Sequence, residues 1–136
     1  MGLDMYAYTA PVELVGDQQV DVNDKLFKDG NAVEGVDTDF AYWRKFNNLH
    51  GWMESLYRSK GGTGADFNCN TVRLMPEDLD RLESLASLKA LPPTEGFFFG
   101  GQEEFDDDDK ADVLEFVKKA RQAISEGKAV FYDSWW

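Results

Sequence analysis

The chain has 136 residues, 43% of them hydrophobic, and its 26 acidic and 14 basic side chains give a net charge of −12 at neutral pH. That size suits one domain, 1–136, which can bury roughly two thirds of its unfolded surface and so fold without staples. The charge argues against direct nucleic acid binding and against anionic membranes, unless a local basic patch outweighs it. Cys69 is the single cysteine, so no intramolecular disulfide is available and a reducing compartment is the simplest home. No apolar run approaches the ~18 residues of a membrane span. The opening MGLDMY lacks the basic-then-apolar layout of a signal peptide. It starts Met-Gly, but Tyr6 stands where an acylation signal has Ser or Thr. A cytoplasmic protein is expected. The acidity is uneven: residues 1–36 sum to −5, 37–60 to +1, 61–100 to −3 and 101–136 to −5.

In chain order, Leu3–Thr9 mixes apolar, aromatic and β-branched residues up to Pro11 and predicts a buried first strand. Val12–Val15 and Lys25–Phe27 read as short strands, with turns at Gly16-Asp17 and Asp29-Gly30. Residues 38–59 predict a helix, capped by Thr38 or Asp39 and stopped by Gly61-Gly62. A GGTG loop (61–64) leads to a second strand over Phe67–Leu74. Pro76-Glu77-Asp78 opens a second helix, with leucines at 79, 82, 85 and 88 as its buried stripe, and Pro92-Pro93 stop it. Gly96–Gly100 (GFFFG) suits a short buried strand. Asp107–Glu126 predicts a third helix ended by Gly127, and Ala129–Trp136 a final strand. No internal repeat and no dividing linker is visible. The expected class is α+β: about three helices packed on one face of a mostly antiparallel or mixed sheet of about four strands.

The 38–59 segment carries the chemistry worth testing. On a helical wheel of about 100° per residue, Tyr42, Phe46, Leu49, Met53 and Leu56 form a core stripe. Beside it lies a second stripe of Phe40, Trp43, Asn47, His50, Glu54 and Tyr57, with Arg44, Lys45 and Asn48 further round. Rings next to hydrogen-bonding tips can stack a planar ligand, and Arg44 or Lys45 can hold an anion. His50 is the only histidine, and Glu54 one turn on could orient it as a general base. The plainer reading has this face packed beneath loops, with His50 bonded to a backbone carbonyl. Asp133 or Tyr132 would have to join it to make a pocket. On the final strand, Trp135 and Trp136 point to opposite faces, so the exposed one is a candidate partner contact or a cap over the strand's edge.

Other signals are weaker. Glu103 to Asp109 is a run of six acids broken by Phe105; it lacks the spacing of a Ca²⁺ loop and reads as a dipole-favoured helix start. One His and one Cys at no ligand spacing argue against a metal site. No phosphate-binding glycine loop or nucleophile elbow is present, so no cofactor is expected. Cys69 reads as a core residue.

Four blocks together, MGLDMY, YWRKFNNLHGW (Tyr42–Trp52), LPPTEGFFFG (Leu91–Gly100) and FYDSWW, resemble a family of small bacteriophage and prophage proteins. They span most of the chain in the family's order, while residues 10–36 follow its pattern poorly. Some members carry a phosphoglycerate kinase label; the present chain has neither the length for two domains nor a nucleotide loop. The resemblance implies a phage accessory protein acting in the host cytoplasm and supplies no catalytic residues. The leading expectation is therefore a non-enzymatic protein that binds a host macromolecule, for instance an acidic inhibitor or anti-defence protein occupying a basic host protein. A small-molecule site or enzyme built on His50 and Glu54 is the alternative, and a virion or assembly component a third. The candidate binding residues are Trp43, Arg44, Asn47, His50, Glu54, Tyr57, Asp133 and Trp135; a homo-oligomer is compatible with all three readings.

Overall fold

A computed structural model describes residues 3–44, 46–91 and 106–135. Its centre is an antiparallel sheet of β1 (Asp4–Pro11), β4 (Asp37–Arg44), β5 (Val72–Leu74) and β6 (Lys128–Trp135), in the order β4-β1-β6-β5. A two-stranded ribbon, β2 (Phe27–Lys28) with β3 (Asn31–Ala32), lies apart from it. The α+β class is as expected, and so are the first and last strands. β1 and β6 pair along their whole length, from Asp4 opposite Trp135 to Pro11 opposite Lys128.

Strand alternation makes two faces. Leu3, Met5, Ala7, Val130 and Tyr132 point to one side, where they form the larger core with three helices. These are α3 (Asn47–Ser59), α4 (Pro76–Ser87) and α5 (Asp107–Ser125). Leu49, Met53 and Leu56 come from α3, Leu79 and Leu82 from α4, and Val113, Phe116, Val117 and Ala120 from α5. Tyr8, Ala10, Ala129 and Phe131 point to the other side, under Val15, Val22 and Leu26. Two single-turn helices cover that side: α1 (Val12–Val15) and α2 (Asn23–Leu26).

The helix expected over 38–59 is corrected. Residues 37–44 are a strand, paired antiparallel with β1 so that Tyr42 lies opposite Tyr6 and Arg44 opposite Asp4. Helix α3 starts only at Asn47, with Phe46 as its N-cap. Thr38 and Asp39 cap nothing; Asp37 accepts the Asp39 N–H in a local turn at the strand start (2.9 Å). Thr, Phe, Tyr and Trp within eight residues fit a pleated surface better than a helix, and β1 offers a hydrogen-bonding edge. Between Ala7 and Thr9 the register against β4 shifts by a bulge. Lys119 from α5 donates to the Phe40 carbonyl there (2.7 Å) and lies over its ring (4.7 Å to the centroid).

Smaller expectations are corrected as well. Val12–Val15 and the first part of Lys25–Phe27 are helical turns rather than strands. The Asp29-Gly30 turn holds, with φ of 53° and 80°, the pair of positive angles that a tight hairpin turn needs. Only Val72–Leu74 of the Phe67–Leu74 run is extended, because Phe67 and Cys69 adopt φ of 38° and 62°. Leu88 lies beyond the end of α4 and is 76% exposed, so it leaves the buried stripe. Gly96–Gly100, Glu103–Phe105 and Trp136 lie outside the described residues.

A buried ion pair missed in the sequence joins three elements. Asp78, 2% exposed at the start of α4, accepts from Lys60 Nζ (2.5 Å), Arg81 Nη2 (2.5 Å) and the Met75 N–H (2.8 Å). Lys60 Nζ also donates to Gln19 Oε1 (2.9 Å) and to the Arg73 carbonyl (2.6 Å). The edge of β5 is thereby closed, with Val20 bridged to Val72 and the Arg73 N–H donating to the Gln19 carbonyl (2.8 Å).

Candidate functional site

The structure divides the eight candidate residues among separate environments. Trp43 is on β4, not on a helix, and its ring meets Phe116 edge-on at 5.0 Å in the larger core. Asn47 and His50 are buried in α3, 2% and 0% exposed. The His50 ring shares a 2.7 Å hydrogen bond between Nδ1 and the Tyr132 hydroxyl and tilts against Phe67 at 5.3 Å. Burial lowers its pKa to about 4, so it is a neutral imidazole at ordinary pH. Glu54 turns outward and pairs with Arg58 at 3.5 Å rather than with His50. The Tyr57 hydroxyl donates to the Asp21 carboxylate (2.9 and 3.0 Å) and accepts the Gly64 N–H (3.0 Å), tying α3 to two loops. This part of the set is a packed, internally bonded face, as the plainer reading anticipates, with a side-chain hydroxyl on His50 Nδ1 where a backbone carbonyl was expected.

Tyr132 and Asp133 illustrate why no single pocket gathers them all. They are adjacent on β6, so they point to opposite faces. Tyr132 joins His50 in the larger core, whereas Asp133 lies on the other side with Arg44 and Trp135. On that side the ladders place Tyr42, Tyr6 and Asp133 in one row, and Arg44, Asp4 and Trp135 in the next. Helices α1 and α2 cover the Tyr8–Phe131 end of this face and stop near Asp133. The remaining end is open: Tyr42 is 55% exposed and Trp135 64%, beside the half-buried Tyr6 and Asp4.

Two aromatic rings and a carboxylate are fixed there by direct contacts. Tyr6 and Tyr42 lie 5.3 Å apart at 52°. The Tyr42 hydroxyl donates to Asp4 Oδ1 at 2.6 Å. Tyr6 also stacks with Tyr8 at 6.4 Å. Tilted ring pairs of this kind hold their faces in place at little entropy cost.

Asp133 forms the floor where the covered and open ends meet. It is 7% exposed. Its Oδ1 accepts the Ser134 N–H (2.8 Å), and its Oδ2 accepts from the Tyr8 hydroxyl (3.2 Å) and Asn23 Nδ2 (3.5 Å). Burial dominates these bonds and raises its pKa to about 6. Asn23 is held in turn by Thr71, whose hydroxyl donates to Asn23 Oδ1 (2.9 Å) and accepts the Val22 N–H (2.8 Å). Cys69, expected in the core, is instead exposed beside this cluster. Its thiol pKa is raised by partial burial and by the Asp133 charge.

Sequence reasoning missed Asp4, Tyr6 and Tyr42 as site residues. A helical period forced on 38–46 placed Tyr42 in the core stripe. The available signal was the alternation in FAYWR, which puts Tyr42 and Arg44 on one face and Trp43 on the other. Among the described residues no three His, Cys, Asp or Glu side chains are grouped to hold a metal, and no helix is long and apolar enough to cross a membrane. The start of α5 is a solvated helix opening: Asp106 accepts the Asp109 N–H (2.9 Å) and Asp109 accepts the Asp106 N–H (3.2 Å). The chain matches no protein-family model, no curated protein and no solved structure.

Proposed function

We propose that this is a non-enzymatic accessory protein of the phage type that binds a basic host macromolecule through an acidic surface. The disposition of charge carries the reading. Six basic side chains are committed to ion pairs within the chain: Lys60 and Arg81 to Asp78, Arg121 to Asp80 and Glu83, Lys89 to Asp107, Arg58 to Glu54 and Lys128 to Glu126. Along residues 13–39 the opposite holds. Glu13, Asp17, Asp24, Asp29, Glu34, Asp37 and Asp39 are exposed and form no ion pair among the described residues. With Lys25 and Lys28 as its exposed cations, this segment remains a net-acidic, outward-facing band, with a field that steers cationic partners and speeds their encounter. The resemblance to phage proteins makes a host protein the expected partner.

The test is a pull-down from bacterial lysate at about 50 mM and about 500 mM salt, a range over which exposed charge pairs pass from weakly to strongly screened. A basic protein retained at low salt and released at high salt is the expected result. Enrichment of no basic protein at low salt would refute the reading.

A further inference from the structure

The open end of the second sheet face has a shape and chemistry more specific than general acidity. Asp4 sits at the centre of its row, between Arg44 on β4 and Trp135 on β6, with Tyr6 and Tyr42 in the row behind. Its Oδ1 is occupied by the Tyr42 hydroxyl at 2.6 Å, and among the described residues Oδ2 makes no hydrogen bond. That bond turns the carboxylate toward the rings and leaves one oxygen for an incoming donor. Aromatic surface therefore flanks a half-open carboxylate: Tyr6 and Tyr42 on one side, the 64% exposed Trp135 on the other. Asp133 adds negative charge beside Tyr6 in that row, and both Asp4 and Asp133 act on the Tyr6 hydroxyl.

Such a surface has a preferred occupant. A planar guanidinium stacks on indole and phenol faces and donates to a carboxylate edge at the same time. An ammonium offers only a compact, strongly hydrated charge, and a neutral aromatic leaves the carboxylates unmatched. An anion meets Asp4 and Asp133 and is repelled. We infer that the Asp4, Tyr6, Tyr42 and Trp135 surface is the docking site for an arginine-bearing segment of a basic protein partner, which stacks its guanidinium on the rings and donates to Asp4 Oδ2. This rests on the reading of the protein as a binder of basic macromolecules and names the surface responsible.

Arg44 gives the inference a sharp sign. It is exposed and lies opposite Asp4 in the ladder, yet its guanidinium forms no ion pair with Asp4. To an incoming arginine it is a repelling neighbour, so its removal strengthens binding. Were the site built for an acidic partner, Arg44 would be the attracting group and its removal would weaken binding.

The experiment uses the full chain and a peptide of alternating arginine and glycine, with a lysine-glycine peptide of equal length as control. Binding is read by calorimetry and by tryptophan fluorescence. The arginine peptide is expected to bind more tightly than the lysine peptide. Tyr42→Ala and Trp135→Ala should each weaken it about 2–5-fold, as loss of one exposed cation–ring contact implies. Asp4→Asn should weaken it at least as much, and Arg44→Ala should tighten it. Circular dichroism and thermal melting of each variant separate loss of contact from loss of fold, and Arg44→Ala gains affinity only if the folded surface is present. Arginine peptide bound equally well by all four variants would overturn the docking site while leaving the acidic-binder reading standing. No binding of either peptide, together with no basic partner from lysate, would instead sink the underlying reading.

Discussion

Asp133 and His50 lie on opposite faces of one sheet, and their shifted pKa values oppose each other in the same pH window. Asp133 is held at about 6 against 3.8 for an unperturbed Asp. Between those values the folded state keeps a proton that the unfolded chain has lost, so stability declines as pH rises. His50 is held at about 4 against 6.5. Between those values the unfolded chain takes up a proton that the folded state refuses, so stability declines as pH falls. Each displacement spans about two pH units, and at about 1.36 kcal/mol per unit each contributes a swing of about 3 kcal/mol. The two slopes nearly cancel, and the summed contribution of these two groups should be flat from about pH 4 to 6. Asp133→Asn keeps one acceptor oxygen, for the Ser134 N–H, and turns an amide NH2 toward the Tyr8 hydroxyl, which can accept from it; it removes the first slope. Its stability relative to wild type should fall by about 3 kcal/mol on acidification across the window. His50→Asn should do the reverse, gaining relative to wild type as pH drops. Urea unfolding at half-unit pH steps measures both. Glu83 and Asp107 have pKa values lowered by Arg121 and Lys89, but they titrate alike in every variant and drop out of the difference. Profiles of both variants parallel to wild type would refute the assignment of these two groups as buried and opposed.

Three further outcomes are expected. Asp78→Ala should cost about 3 kcal/mol in denaturant unfolding, because it strands Lys60 and removes the acceptor for the Met75 N–H, whereas Lys60→Met with Asp78→Leu should recover most of that loss; equal destabilisation of single and double variants would contradict it. Gly62→Ala should destabilise by about 1–3 kcal/mol, since its Cβ would come within 2.4 Å of the Tyr57 ring, and an unchanged melting temperature would show that the ring yields freely. Cys69 should react with iodoacetamide more slowly than a free thiol at pH 8, and faster in Asp133→Asn, where the neighbouring charge is gone; an unchanged rate in that variant would separate the thiol from Asp133.

What the sequence legibly carried is local. The α4 and α5 patterns, with Pro76 at a helix start and Gly127 after a helix end, describe segments whose periodicity, caps and breakers agree. The first and last strands are equally legible, because Leu3–Thr9 and Ala129–Trp135 carry the side chains of a half-buried pleat. Residues 38–46 broke the pattern. Their aromatic residues satisfy a helical stripe and a strand alternation alike, and the outcome rests on the β1 edge, a partner more than thirty residues away. His50 and Glu54 share a helix face by spacing, yet the packing of Tyr132 and Phe67 buries one while the other meets Arg58.

The candidate site follows the same division. Composition alone fixed the acidity, since net charge needs no fold. Trp135 and Asp133 were identifiable as chemistry on the last strand. Only tertiary structure put Asp4 beside Trp135 and Tyr6 beside Tyr42, because the cross-strand register of β4, β1 and β6 is a property of three segments together. Coverage by α1 and α2 then decided which end of that face stays open. Carboxylates that look equivalent along the chain are separated by it: Asp133 becomes a buried floor whose pKa burial raises, and Asp4 a surface acceptor with one oxygen already held by Tyr42.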